Sequence, residues 1–281
     1  MASSELLAVA YGLASAATWG AGDFGGGLAT KRTNVYSVII LSQIIGCALL
    51  IVLAFSLSGE IPSFEYFCLS GIAGISGVIG LSALYSGLSK GRMGIVASVA
   101  AVVTAGFPVI VGLFIEGLPS PLQLVGFGVA LVAVWLLSST RNGASVRVHE
   151  LWLPILAGLG FGMFFIIVDK VSNHAILWPL VIARIVSISA MIIFVKVFVK
   201  EKVLYKSQLP IIILVGVFDA SGSAFFALAT KLGRLDISAV VASLYPATTV
   251  ILAWVVLREK LNQRQWVGVL ATLGALVLIA A

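Results

Sequence analysis

Ten long apolar runs constrain the fold of this chain more than any other feature of its sequence. They span residues 6–29, 35–57, 65–88, 94–115, 121–139, 151–171, 176–199, 209–230, 237–257 and 265–281. A helix needs about 20 apolar residues to cross the hydrocarbon core of a bilayer, so ten spans leave only about seven residues for each connection. The sequence therefore predicts an all-α integral membrane protein of ten transmembrane helices, with no room for a soluble domain.

The composition excludes several other classes of protein. Of the 281 residues, 60% are apolar and only 10% are charged, whereas soluble domains carry roughly 25% charged residues. A soluble enzyme, a nucleic-acid-binding domain and a disordered chain are therefore excluded. Cys47 and Cys68 both lie in apolar runs, and the chain has neither an HExxH motif nor a Walker A sequence. We expect no cofactor and no metal site, and a small solute and membrane lipid as partners.

The two halves of the chain resemble each other in sequence. Ala83-Leu84 matches Ala227-Leu228, and Gln123 matches Gln265, at similar offsets along the chain. The pattern predicts two five-helix repeats, 1–140 and 150–281. Because five is odd, the repeats must have opposite orientations in the membrane, an arrangement that recurs in secondary transporters. Two such halves complete one transport pathway, so a monomer or a homodimer would suffice.

Ionisable residues inside a membrane span are costly and normally face a cavity or a partner. Asp219 lies at the centre of the eighth run, where it could bind a proton or a cationic group, or bond to a neighbouring helix as a neutral carboxyl. Arg184 lies in the seventh run. It could bind a substrate carboxylate, or form a structural ion pair with Asp219 or Asp169. At the position equivalent to Arg184, the first half has Gln43, so we expect the site to be charged on one side only.

Further candidates lie near the ends of the spans and at prolines. Asp23, in the glycine-rich WGAGDFGGG stretch, could line a cavity mouth or offset the nearby cations, and Asp169 precedes Lys170 at the end of the sixth run. Proline frees a backbone carbonyl and kinks a helix, so Pro108 and Pro246 are candidate gating joints. Three aromatic residues could line the cavity: Trp19, Tyr85 and Tyr245.

A short stretch of the sequence also matches a motif of one class of enzymes. The stretch GAGDF at 20–24 resembles the GxGD motif of intramembrane aspartyl proteases, for which Asp219 would supply the second carboxylate. In that family the other aspartate precedes GxGD, whereas here the order is reversed. The protease would also need Asp23 within hydrogen-bond reach of Asp219.

Several longer stretches resemble the EamA-type transporters of the drug/metabolite transporter superfamily. The resemblance is carried by WGAGDFGGGLATKR at 19–32, ALYSGLSKGRMGIVASVAAV at 83–102, the whole of 218–269, and Arg184. It implies a solute carrier, often an exporter of metabolites such as amino acids, with a central cavity between the halves. The function expected from the sequence is thus secondary transport in a prokaryotic inner membrane, with proton coupling through Asp219. Efflux of lipophilic cations is the alternative.

The distribution of basic residues predicts the orientation of the chain. The connections after odd-numbered runs hold 13 Lys and Arg, and those after even-numbered runs hold 3. Cytoplasmic loops carry the excess of basic residues, so both termini are expected outside, whereas the family resemblance implies cytoplasmic termini.

A reporter that is active only in the cytoplasm, fused to Ala281, tests this orientation. The charge count predicts no activity from the fusion, while the same reporter placed in the loop at Lys31 and Arg32 is expected to be active. Activity of the Ala281 fusion would contradict the charge count.

Overall fold

The protein is a bundle of helices that follows the ten apolar runs closely. The structure, a computed structural model, describes residues 2–57, 62–90, 93–137, 151–199, 208–258 and 262–280. In these ranges every regular element is helical: α1 (Ala2–Thr30), α2 (Val35–Ser56), α3 (Phe64–Lys90), α4 (Met93–Ile115), α5 (Pro121–Leu137), α6 (Trp152–Ser172), α7 (Leu177–Phe194, extended by a π-helical turn over Val195–Val199), α8 (Leu209–Leu232), α9 (Leu235–Ala242), α10 (Tyr245–Leu257) and α11 (Gln263–Ala280). The boundary between the predicted repeats, 140–150, lies outside the described residues.

The helices are long and apolar enough to place this protein in a membrane. Six segments of the described chain meet the length and hydropathy needed to span a bilayer, and α2 is the most apolar of them, with a mean hydropathy of 2.8. Large apolar side chains are exposed on the outside of the bundle, including Trp135, Trp152 and Trp266. Apolar side chains remain exposed where lipid replaces water as the solvent. The protein is therefore an integral, multi-pass membrane protein.

The ninth apolar run forms two helices rather than one. α9 ends at Ala242 and α10 begins at Tyr245, with Pro246 in its first turn. Proline lacks an N–H group and fits the first turn of a helix, where that group would have no intrahelical partner. The fourth run behaves differently, since α4 continues as one helix across Pro108. The two prolines thus have different effects on helix continuity.

The last helix of each half begins with the same capping arrangement. At α5, the Ser120 hydroxyl accepts from the Gln123 N–H, and the Gln123 side chain accepts from the Ser120 N–H. At α11, Asn262 and Gln265 exchange the same two hydrogen bonds. Each is a capping box, which satisfies two otherwise free N–H groups. The matching glutamines of the sequence repeat therefore perform the same local task.

Contacts between the halves are reciprocal. α1 of the first half packs on α8 of the second, and α6 of the second half packs on α3 of the first. Likewise, α2 packs on α8 as α7 packs on α3. α5 and α11, the last helices of the halves, pack on each other. Two like units that exchange places about a twofold axis would give this pattern, so it supports the predicted pair of repeats.

Two glycines in equivalent positions allow the closest of these approaches. A Cβ on Gly216 of α8 would lie 2.5 Å from the Ser42 carbonyl oxygen of α2. A Cβ on Gly74 of α3 would overlap the Ala183 carbonyl oxygen of α7. In lipid no hydrophobic effect drives helices together, so small residues that let backbones approach become the main source of packing energy.

We predict that Gly74→Ala and Gly216→Ala each destabilise the protein. The added methyl group has to displace backbone, and overpacking of this kind costs about 1–3 kcal/mol. Gly128→Ala and Gly274→Ala are the controls, because a Cβ at either position meets nothing within 4 Å. The measurement is the melting temperature of the purified protein in detergent. Equal melting temperatures for the two pairs of variants would show that the backbone contacts are not limiting.

Candidate functional site

A polar cavity lies inside the bundle, between helices of both halves. Its empty space, including the part that is open to solvent, is about 650 Å³. Six of the eight polar or aromatic residues proposed from the sequence line it. The lining residues are Trp19, Asp23, Gln43, Ala73, Gly74, Gly77, Val78, Leu81, Thr104, Phe161, Phe164, Phe165, Ala183, Arg184, Ser187, Asp219, Ser223 and Tyr245.

An ion pair between α7 and α8 occupies one wall of the cavity. The Arg184 guanidinium donates to the Asp219 carboxylate over 2.5 Å, and its second terminal nitrogen donates to the Ser223 hydroxyl over 2.8 Å. The side chains of Arg184 and Asp219 are 10% and 20% exposed. Each charge thus has its counterion inside the bundle, where an unpaired charge would be costly.

The backbone carbonyl of Asp219 joins this pair to the first half of the chain. It accepts from the indole N–H of Trp19 in α1 over 3.2 Å. It also accepts from the Arg184 guanidinium over 3.3 Å and from the Ser223 hydroxyl over 3.0 Å. One carbonyl therefore orients side chains from α1, α7 and α8, so a movement of Asp219 would be transmitted to all three helices.

Aromatic rings form the wall behind Trp19. Its ring stacks on Phe165 of α6, with centroids 5.3 Å apart, and lies 5.8 Å from the ring of Phe226. Phe165 and Phe226 stack on each other at 4.1 Å. The Trp19 ring also lies close to Gly222, whose lack of a side chain makes room for it. The rings pack mainly against one another.

The two halves contribute different chemistry to the cavity. Gln43 of α2 is buried and accepts a hydrogen bond from the Ser187 hydroxyl of α7 over 3.0 Å. Ser187 also donates to the Arg184 carbonyl. The neutral amide thus faces the helix that carries Arg184. The first half also contributes the carboxylate of Asp23 to the lining, so charged residues of both halves line the cavity, and not of one half as expected.

Three oxygen-bearing side chains of the cavity have no hydrogen-bond partner among the described residues. The Tyr245 hydroxyl and the Thr104 hydroxyl are buried and make no hydrogen bond. For Asp23, no hydrogen bond or ion pair joins the carboxylate to any part of the chain that the structure describes. Buried polar groups are nearly always hydrogen-bonded in native proteins, so these three groups are the part of the site that is available to a ligand. The sequence analysis did not single out Thr104, which has no distinguishing motif.

Two predicted residues lie away from the cavity lining. Tyr85 is 2% exposed, and its ring lies against Gly26 of α1. Asp169 lies near the end of α6, where it interacts electrostatically with Glu116. Its carbonyl accepts from Ser172. The ion pair proposed between Arg184 and Asp169 is therefore absent here, because Arg184 is paired with Asp219 instead.

A second polar cluster joins the end of α4 to the start of α9. The Arg234 guanidinium donates to both carboxylate oxygens of Asp236, and to the carbonyls of Glu116 and Gly117 at the end of α4. The Glu116 carboxylate accepts from the Leu235 N–H. The hydrogen bond to Asp236 raises the pKa of Arg234 above its ordinary value. The guanidinium lies against carbonyls at the C-terminal end of α4, where positive charge is favourable. Sequence analysis missed this cluster, because Glu116 and Gly117 are more than 100 residues away from Arg234 and Asp236.

The described residues offer no obvious metal centre. Within those ranges, no three side chains of the His, Cys, Asp and Glu types group as a metal site would require. The cavity provides an ion pair, oxygen atoms without a hydrogen bond in the described chain, and aromatic walls.

Comparisons with known proteins agree with a carrier built around such a cavity. A multi-pass helical bundle with a polar site at its centre is typical of membrane transporters. The model of the EamA-like transporter family matches residues 149–281. This part of the chain is similar to the EamA-like transporter family, and the predicted resemblance to EamA-type transporters is confirmed.

A solved structure shares the fold over nearly the whole chain. One crystal structure, named only as that of a protein, has a TM-score of 0.77 and 13% sequence identity, over 95% of this chain and 97% of that chain. At that identity the likeness concerns the fold alone. No curated protein matches the sequence.

We predict that removal of one partner of the Arg184–Asp219 pair destabilises the protein more than removal of both charges. Asp219→Asn leaves an uncompensated buried guanidinium, which costs about 3 kcal/mol or more. The double variant Asp219→Asn, Arg184→Gln removes the unpaired charge. A double-mutant cycle on melting temperatures is the measurement. Additive losses would contradict a direct interaction between the two side chains.

Proposed function

We propose that this protein is a secondary transporter of a prokaryotic inner membrane that exports small organic metabolites, such as amino acids, by alternating access. The observation that carries the proposal is the central cavity, in which both halves supply the wall and an ion pair supplies the charge. The reciprocal packing of α1 on α8 and of α6 on α3 supports the motion, because the two halves can exchange equivalent contacts as they rock about the site.

The charges of the cavity support coupling to protons. The lining includes two carboxylates, Asp23 and Asp219, and one guanidinium, Arg184. With both carboxylates ionised the cavity carries one net negative charge, which attracts a substrate ammonium group. A proton on Asp219 removes that net charge and frees Arg184 from its counterion. We therefore propose that Asp219 is the coupling group.

The sign of the coupling follows from the group that the substrate presents. A proton on Asp219 weakens the attraction for an ammonium group, so an amine and a proton oppose each other and move in opposite directions. A proton on Asp219 strengthens binding of a carboxylate at the freed Arg184, so those two would move together. Binding linkage is reciprocal, so the substrate affects proton binding by the same factor. Proton influx can drive export only when the proton and the substrate move in opposite directions, as expected for an amine. Export thus calls for a substrate that carries an amine.

A second candidate function is efflux of lipophilic cations. It is favoured by the net negative charge that the cavity carries when both carboxylates are ionised. The aspartyl protease is not favoured. Its two carboxylates have to share a proton, whereas Asp219 pairs with Arg184, and no hydrogen bond joins it to Asp23 in the described part of the chain.

Proton flux in proteoliposomes tests the proposal. Vesicles that contain the protein and an internal pH dye are given amino acids and lipophilic cations in turn, under an imposed pH gradient. We expect substrate-dependent proton movement opposite to the substrate, and we expect Asp219→Asn to abolish it. Glu65→Gln is the matched control, because Glu65 is an exposed carboxylate in the first turn of α3.

The outcomes separate the alternatives. Proton movement in the same direction as an amino acid would indicate that its carboxylate binds at Arg184. Movement with lipophilic cations alone would favour the efflux function. An unchanged flux in Asp219→Asn would exclude Asp219 as the coupling group, and no flux for any compound would contradict proton-coupled transport of these solutes.

A further inference from the structure

The hydrogen bonds inside the cavity separate its polar groups into two sets. Most of them are already satisfied by the protein, because Arg184 and Asp219 pair with each other and Gln43 pairs with Ser187. The second set consists of Asp23, Thr104 and Tyr245. It provides one carboxylate and two buried hydroxyls, none of which is hydrogen-bonded within the described residues.

The members of the second set come from neighbouring elements. Tyr245 begins α10, which packs on α1 so closely that the Thr249 hydroxyl donates to the Gly20 carbonyl, one turn before Asp23. Tyr245 and Asp23 are near enough to interact electrostatically. Tyr245 also packs in one core cluster with Ala101 and Ala105, which flank Thr104 on α4. All three oxygen-bearing side chains therefore line the same cavity, and α10 packs on both α1 and α4.

We propose that Asp23, Tyr245 and Thr104 form a subsite for the primary ammonium group of the substrate. An ammonium group has three N–H donors and no acceptor, and this subsite offers it a carboxylate and two hydroxyl oxygens. The proposal rests on the proposed transport function, since it names the group by which the cavity holds its solute.

The arrangement favours a primary amine over a quaternary one. A quaternary nitrogen has no N–H group, so it would leave the two buried hydroxyls without a partner, which is unfavourable. Quaternary ions are usually held against the free faces of aromatic rings. Here the Trp19 ring is stacked on Phe165, and its other neighbours are Phe226 and Gly222. The ring is therefore largely covered by other residues, which disfavours a quaternary ion against it.

The other charged and titratable groups near Asp23 are compatible with this role. Asp219 of α8 interacts electrostatically with Asp23, and its negative charge also favours a cation in the cavity, where Arg184 of α7 is its ion-pair partner. Tyr85 of α3 and Tyr245 of α10 interact electrostatically with Asp23. Asp23 is therefore the acidic group of the cavity that lacks a counterion in the described chain, and the ammonium group would supply one.

Three probes that differ only at nitrogen test the subsite. They are phenylethylamine, its N,N,N-trimethyl derivative and its N-acetyl derivative, titrated into the purified wild-type protein in detergent by calorimetry at pH 8. We expect the primary amine to bind at least about tenfold more tightly than either derivative, which corresponds to the loss of one or two charge-assisted hydrogen bonds.

Substitutions in the subsite test which residues cause the preference for the primary amine. Asp23→Asn is expected to weaken binding of the primary amine by at least about tenfold, and Tyr245→Phe and Thr104→Val by about three- to tenfold each. None of the three is expected to weaken binding of the trimethyl derivative as much. Tyr11→Phe, Thr272→Val and Glu65→Gln are matched controls outside the cavity lining. If Asp23→Asn fails to fold, the two hydroxyl variants carry the test.

The proposal is overturned by equal affinity for the primary and trimethyl amines, by unchanged affinity in the Asp23 and hydroxyl variants, or by the absence of binding for all three probes. These results are independent of the proposed transport function. Proton-coupled flux of an amino acid in vesicles would leave that function standing while the subsite fails.

Discussion

A membrane interior gives the backbone and the charged side chains of this protein no water to bind, and the rest of its structure depends on that constraint. Nearly every backbone group is satisfied within a helix. Where the chain departs from a helix inside a span, between α9 and α10, residues 243 and 244 are buried and Tyr245 lines the cavity. The two charges at the centre satisfy each other across α7 and α8. The cavity thus brings irregular backbone and charge together, which is why we propose it as the functional site.

The same packing framework carries different chemistry in its two halves. Gly74 approaches Ala183 as Gly216 approaches Ser42, and the capping box of α5 is repeated at α11. The cavity does not share this likeness, because one half supplies Gln43 where the other supplies Arg184. A rocking motion needs mechanical equivalence of the halves, whereas recognition of a particular solute needs asymmetry. Equivalent glycines at the helix contacts, combined with different polar residues at Gln43 and Arg184, let one fold meet both requirements.

The helices could be predicted from the sequence almost completely, because membrane spans depend on local hydropathy, which follows directly from the amino-acid sequence. Nine of the ten runs form single helices with ends within a few residues of those expected, and the ninth divides just before Pro246. The cavity could be predicted in part. Arg184 and Asp219 were detectable because charge is rare in a span, and their pairing was one of two alternatives. Thr104 and the Arg234 cluster could not be found in the same way, since a threonine in an apolar helix is ordinary and the cluster depends on contacts between residues that are more than 100 positions apart.

The separation of Arg184 from Asp219 along the chain also bears on how the protein is made. The two residues are 35 positions apart and belong to consecutive helices, so the helix that carries Arg184 does not carry the counterion. An arginine at the centre of a span costs about 2.5–3.5 kcal/mol on insertion scales. The segment Leu177–Val199 has a mean hydropathy of 2.3, which makes it apolar enough to offset that cost alone. The ion pair therefore has to assemble within the bilayer, after both helices are in place, and a nascent chain that stops short of α8 would hold an unpaired cation in lipid.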